Sequence, residues 1–211
     1  MNLKFFLESL DACSMALQWS ENREVNESAW LACSRGEWLL WFAEKIGIDK
    51  NLIILAVCDC ADSVIHLFPE NEKHLKNAIK TMRALAVGQV TKKELHHEYG
   101  TALVDTRLGI NIKYRNAAQI STNIIGIVTH NISPWMALRS IVFTTKMKEK
   151  NIADIIRKRI PWSLWEGQIV LFNDEGFKPP KEIDEEVSVK YWIMAAILLA
   201  TIFLSIVLIL K

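Results

Sequence analysis

Residues 34–47, SRGEWLLWFAEKIG, describe a helix with both ends marked. Ser34 followed three residues later by Glu37 is a capping box, in which hydroxyl and carboxylate satisfy the first free N–H groups. Gly47 supplies the left-handed residue that closes the helix WLLWFAEKI. Trp38 and Trp41 stand three apart, share a face, and are expected to be apolar anchors in a core. Gly36 has no Cβ and permits close approach of another helix. Arg35 sits where a cation opposes the helix dipole, so it should answer a carboxylate.

The same pattern extends in both directions. Upstream, Phe6, Leu10, Cys13 and Leu17 recur at helical spacing and predict one amphipathic helix over 3–19, with a polar loop over 20–27. Downstream, Asp49 can cap a helix over 50–68 that stops at Pro69, and another over 70–87 ends before Gly88. Thr91 and Glu94 form a second capping box. Residues 116–138 contain no charged side chain, but Gln119, Asn123, His130, Asn131 and Pro134 argue for two buried helices joined by a turn. Ser133 and Pro134 cap and open the second of these. Ile152, Ile155, Ile156 and Ile160 form the stripe of a short helix ended by Pro161. Strand signals are few, so the expected class is all-α.

The chain's end differs from all of this. Residues 191–210, YWIMAAILLATIFLSIVLIL, hold no charge, proline or glycine. At ~1.5 Å per residue they span roughly 30 Å, the thickness of a bilayer's hydrocarbon core. Their twelve Leu, Ile, Val and Phe residues favour insertion by about −4 to −7 kcal/mol at most. Tyr191 and Trp192 stand where interfacial aromatics belong, and Leu210 closes the span. Residues 190–211 therefore read as a single transmembrane anchor, preceded by an acidic, aromatic linker over 163–189 and an all-helical domain over 1–162. With only Lys211 beyond the span, the domain is expected on the cytoplasmic side of an inner membrane. The four cysteines then lie in a reducing compartment as free, mostly buried thiols.

The formal net charge of +1 hides a polarity, because residues 107–162 hold ten basic and two acidic groups. Anionic lipid, an acidic protein partner and a merely solvated face all fit this block. Nucleic acid fits least, since no reading motif accompanies the charge. Signals of chemistry are sparse, with no phosphate loop, nucleophile elbow or His-Glu-x-x-His. Glu94, His97 and Glu98 share a helix face, but behind a capping box they read as solvated rather than as a metal site. Asp59 and Asp62, on an otherwise apolar helix, read as structural partners of an arginine such as Arg35, not as a catalytic dyad. No cofactor, metal or catalytic residue is expected. The competing enzymatic reading is a hydrolase using Asp59 and Asp62 or the region of His96 and His97.

Three stretches together carry a resemblance. WLACSRGEWLLW (30–41) resembles the C-x-R-G-D/E-W-L-L-W signature of an all-helical immunity protein family associated with bacterial polymorphic toxin systems and phages. Residues 58–70 are similar to its C-A … P-E segment, and Ala153 to Arg157 with Ile160 and Pro161 to its A-D-I-V-R … I-P close. The resemblance covers roughly residues 12–162. It implies a compact helical domain that binds and neutralises a protein partner, a toxin or a competing element's factor. Arg35, Glu37 and Arg157 would then be partner-binding, and Ser34, Gly36, Trp38 and Trp41 the structural motif. The sequence departs from the pattern in having Glu37 for the usual Asp, and in its anchor. The anchor opens a second reading, a phage or bacterial membrane adaptor or superinfection-exclusion factor without enzymatic activity.

Overall fold

The computed structural model describes residues 1–69, 72–91, 93, 95 and 112–174, the side chains of 112–114 and 172–174 excepted. The expected span with Tyr191, Trp192 and Leu210, the later part of the linker, Glu94 of the second capping box, and His96, His97 and Glu98 lie outside these residues. The described part is all-helical, as the sequence implies, and no strand occurs among the described residues. No helix there is long and apolar enough to cross a membrane. Met1–Val170 forms one compact unit.

The α-helices among the described residues are α1 (Leu3–Glu8), α2 (Ser14–Ser20), α3 (Glu27–Ala32), α4 (Gly36–Lys45), α5 (Lys50–Asp62), α6 (Glu72–Ala86), α7 (Ile112–Thr129), α8 (Pro134–Thr145), α9 (Glu149–Arg159) and α10 (Trp162–Asp174). Central among them is α5, which packs against α4, α6, α7, α8 and α9. It buries Ile53, Ile54, Ala56, Val57, Cys58, Cys60 and Ala61 because its apolar residues surround the axis rather than forming one stripe. Asp49 accepts a hydrogen bond from the Asn51 N–H at 2.6 Å and starts α5 where the sequence places it. Gly88, with φ of 75°, follows the end of α6, and Gln89 N–H reaches back to the Ala84 carbonyl at 2.8 Å. The uncharged stretch does form two packed helices, α7 and α8. Ser121 and Thr122 within it are buried, with hydroxyls donating to the carbonyls four residues back at 3.0 and 2.9 Å.

Burial disfavours the thiolate form of the three buried cysteines. It pushes Cys58 up to about 12 and raises Cys33 and Cys60, while Cys13 alone of the four is exposed.

Several expectations require correction, among them the helix expected over 50–68, which ends at Asp62 and is followed by a 3-10 turn at Ile65–Leu67. Residues 3–19 form two helices, because the chain turns at Asp11 (φ 60°) and both Leu10 and Ala12 N–H return to the Leu7 carbonyl. Cys13, expected on the apolar stripe, is consequently exposed. A short helix, α3, follows the polar loop, with Asn26 Oδ1 accepting from Ala29 N–H at 2.9 Å. The Ser34 capping box does not form: α4 begins at Gly36, Arg35 is the cap residue, and no side chain caps it. Glu37 turns to Arg35 instead, at 3.1 Å. Finally, the linker does not begin at residue 163. Trp162–Asp174 is helix, and Trp165 is 0% exposed, its ring 3.9 Å from that of Trp30 and 5.0 Å from that of Phe42. Its indole N–H donates to the Ile160 carbonyl at 3.2 Å, so the apolar ring is buried without an unpaired donor.

The α4–α9 crossing is held close at Gly36. A Cβ there would collide with Ile152 Cγ2 and lie 3.0 Å from Ile156 Cδ1 and 3.3 Å from the Ala153 backbone nitrogen. Gly36→Ala should therefore lower stability by roughly 1–3 kcal/mol, read from a urea midpoint at unchanged slope. Truncation exposes the corrected boundary. A chain ending after Asp174 should melt cooperatively, whereas one ending after Trp162 loses a core tryptophan and should be less stable by roughly 3–5 kcal/mol. Equal melting temperatures for the two would place Trp165 outside the core.

Candidate functional site

Trp38 and Trp41 are where the sequence reading and the structure part most informatively. Both are half-buried rather than enclosed. The fully enclosed indole is Trp165, and Trp30 is nearly so. Trp41 packs against the cluster of Leu3, Leu7 and Ala29, and Lys45 stands 5.9 Å from its ring. Trp38 belongs to a stack of alternating chemistry. Arg23 lies 4.7 Å over Trp19, Trp19 is 6.0 Å from Trp38, and Arg35 lies 4.8 Å over Trp38.

The same two tryptophans form part of the wall of a surface groove of about 350 Å³. Three segments build it: the α1–α2 turn with Met15 of α2, the start of α4 with Arg35, Glu37, Trp38 and Trp41, and α8 with Trp135 and Arg139. α8 reaches this position because it packs along α4 with Ala137, Leu138 and Ile141 turned inward. Trp38 and Trp41 also line a smaller apolar slot of about 50 Å³, together with Trp19, Trp30, Leu39 and Phe42. They therefore stand between the groove and the aromatic core.

Arg35 on the groove wall is held by two carboxylates. Its Nη2 donates to Glu37 at 3.1 Å and to Glu149, at the start of α9, at 3.2 Å, while its buried Nε has no partner among the described residues. The expectation that Arg35 answers a carboxylate is met by two of them. Arg139 is exposed and makes no ion pair among the described residues. Half-buried indoles beside an orienting guanidinium are the composition of a surface that seats apolar side chains.

Arg157, which the resemblance implies to be partner-binding, does not line this groove. Its side chain is 11% exposed. Its Nε and Nη2 donate to the Trp30 carbonyl at 3.2 and 2.9 Å, Nη2 also to the Cys33 carbonyl, and Nη1 to Asp154 at 2.9 Å. It satisfies the carbonyls at the C-terminus of α3, the end where the helix dipole favours a cation.

Asp59 and Asp62 are structural, but their partner is not Arg35. Arg83 Nη2 bridges Asp59 at 2.9 Å and Asp62 at 3.1 Å, and Arg159 Nε donates to the other oxygen of Asp59 at 2.8 Å. One carboxylate thus ties α5 to α6 and α9. Among the described residues no group of three metal-ligating side chains occurs. Trp135, Arg139 and Met15 were not singled out by sequence reasoning. Trp135 directly follows the Ser133–Pro134 helix start, and nothing local links it to residues a hundred positions earlier.

No protein-family model, curated protein or solved structure matches the chain.

Asp59→Asn should loosen both arginines and lower stability by about 1.5–3 kcal/mol, the range for hydrogen bonds to charged groups. Paired denaturation curves with Asp62→Asn, which frees one contact to Arg83, should show the larger loss for Asp59.

Proposed function

We propose that this chain is a membrane-tethered, immunity-like protein that binds and neutralises a protein partner, a toxin or a competing element's factor, through the groove between α2, α4 and α8. The observation that carries the reading is that Arg35, Glu37, Trp38 and Trp41, four residues of the family-like 30–41 stretch, meet in one groove with Trp135 and Arg139. Indoles left half-buried cost solvation that a partner's apolar side chain recovers, and Trp and Arg dominate the binding energy of protein interfaces. The uncharged 191–210 stretch supports the tether, and no catalytic role is assigned to any residue.

The full-length protein should remain in the membrane fraction after alkaline extraction. With a photo-crosslinker at position 135, it should capture in cells a partner that the same group at position 67, on the short turn after α5, does not capture. Trp135→Ala should weaken that complex about thirtyfold or more, the effect of a 2 kcal/mol interface residue. It should leave the melting temperature nearly unchanged and abolish protection of cells producing the partner. Capture from both positions alike, or unaltered affinity, defeats the groove as the binding site.

A further inference from the structure

The outward face of α8 is built against the usual pattern of a helix in water. Ala137, Leu138 and Ile141 are buried beneath it. On the other side Met136, Arg139, Ser140 and Phe143 recur at helical spacing and line one shallow surface depression together with Trp135. Phe143 is 86% exposed and Met136 51%. A phenylalanine this open contributes nothing to the fold, and its apolar surface awaits removal from water. Lys146 follows one turn after Phe143, with the left-handed φ of 55° that ends the helix, and Lys148 and Lys150 come next. All three lysines are exposed, and among the described residues neither they nor Arg139 makes an ion pair. The single carboxylate within 135–150, Glu149, is turned to Arg35.

We infer that this face docks on an anionic bilayer surface. Phe143 and Met136 enter the boundary between headgroups and acyl chains, and Arg139, Lys146, Lys148 and Lys150 meet the lipid phosphates. Charge decides the occupant. Lysine is depleted in protein interfaces, where its desolvation is costly, whereas unpaired lysines beside exposed aromatic side chains are the composition of membrane-surface binding. The inference rests on the membrane-tethered reading, since the tether keeps the face within reach of a field that decays over ~8 Å at physiological salt. It adds an orientation: α8 toward lipid, with the groove opening beside it.

The test uses the full-length chain in a Cys13→Ser background, so that a thiol-reactive, environment-sensitive fluorophore goes to Phe143→Cys or, as a control in the exposed turn after α6, to Val87→Cys. The protein is reconstituted with, or added to, vesicles of neutral lipid or of neutral lipid with phosphatidylglycerol, each containing brominated acyl chains as quenchers. The fluorophore at 143 should shift to the blue and be quenched with anionic vesicles only, and the signal should fall as salt is raised. The fluorophore at 87 should stay aqueous. Lys146→Gln, Lys148→Gln and Lys150→Gln together should reduce the docked-to-free ratio on the order of a hundredfold, from the loss of three cations. An aqueous fluorophore at 143 in every lipid overturns the inference. So does a blue shift without bromine quenching, which would put protein rather than lipid on this face. Release by alkali with quenching intact would defeat the anchor and leave the lipid face standing, while retention with an aqueous fluorophore would do the reverse.

Discussion

The closeness of α4 and α9 at Gly36 is the constraint from which the rest of the domain follows. Where a Cβ would collide with Ile152, the hydrogen of glycine lets the two helices meet almost backbone to backbone. That approach brings Arg35 within 3.2 Å of Glu149 and Arg157 onto the carbonyls of Trp30 and Cys33. Helix α3 is only six residues long, too short to hold itself in water, and it owes its definition to that guanidinium as much as to Asn26. After α9 the chain turns at Ile160, and α10 lays Trp165 against Trp30 and Phe42. The N-terminal layer, the basic helix and the last described helix are thus locked through one crossing.

The tryptophans divide along this geometry. Trp30 and Trp165 lie where α3 and α10 converge and are enclosed; their burial stabilises the fold and leaves them no surface for a partner. Trp38 and Trp41 stand on the side of α4 that faces α2 and α8, where no further helix closes over them among the described residues. They are stabilised partly by the aromatic core and partly by cations, Arg35 over one and Lys45 near the other. In that position they contribute to stability and remain open to the proposed groove. The groove and the outer face of α8 adjoin through Trp135 and Arg139, which places protein and lipid recognition, as proposed, side by side on one helix.

Much of this architecture was legible in the sequence. Helical class followed from periodicity and from caps such as Asp49 and Gly88, which act within a few residues and need no tertiary context. The close approach at Gly36, the two packed helices of the uncharged stretch and the carboxylate partner of Arg35 were also legible, because each is a local requirement that any fold must meet. The proposed membrane span at 191–210 rests on length and hydropathy alone.

Tertiary structure decided which local signals would prevail. Ser34 and Glu37 have the spacing of a capping box, but α4 begins at Gly36, and Arg35 pairs with Glu37 and with Glu149 of α9. Asp59 required a cation, and only the packing of α6 and α9 on α5 could select Arg83 and Arg159 over Arg35. The structural contacts of Arg157 exist only because the carbonyls at the end of α3 are brought to it. The end of the domain moved from Trp162 to α10 because Trp165 has no periodic neighbours to announce it, only a cavity between Trp30 and Phe42 formed by residues over a hundred positions away. Pattern determines what a segment must satisfy, and the partner that satisfies it is chosen by distances that exist only after the chain has folded.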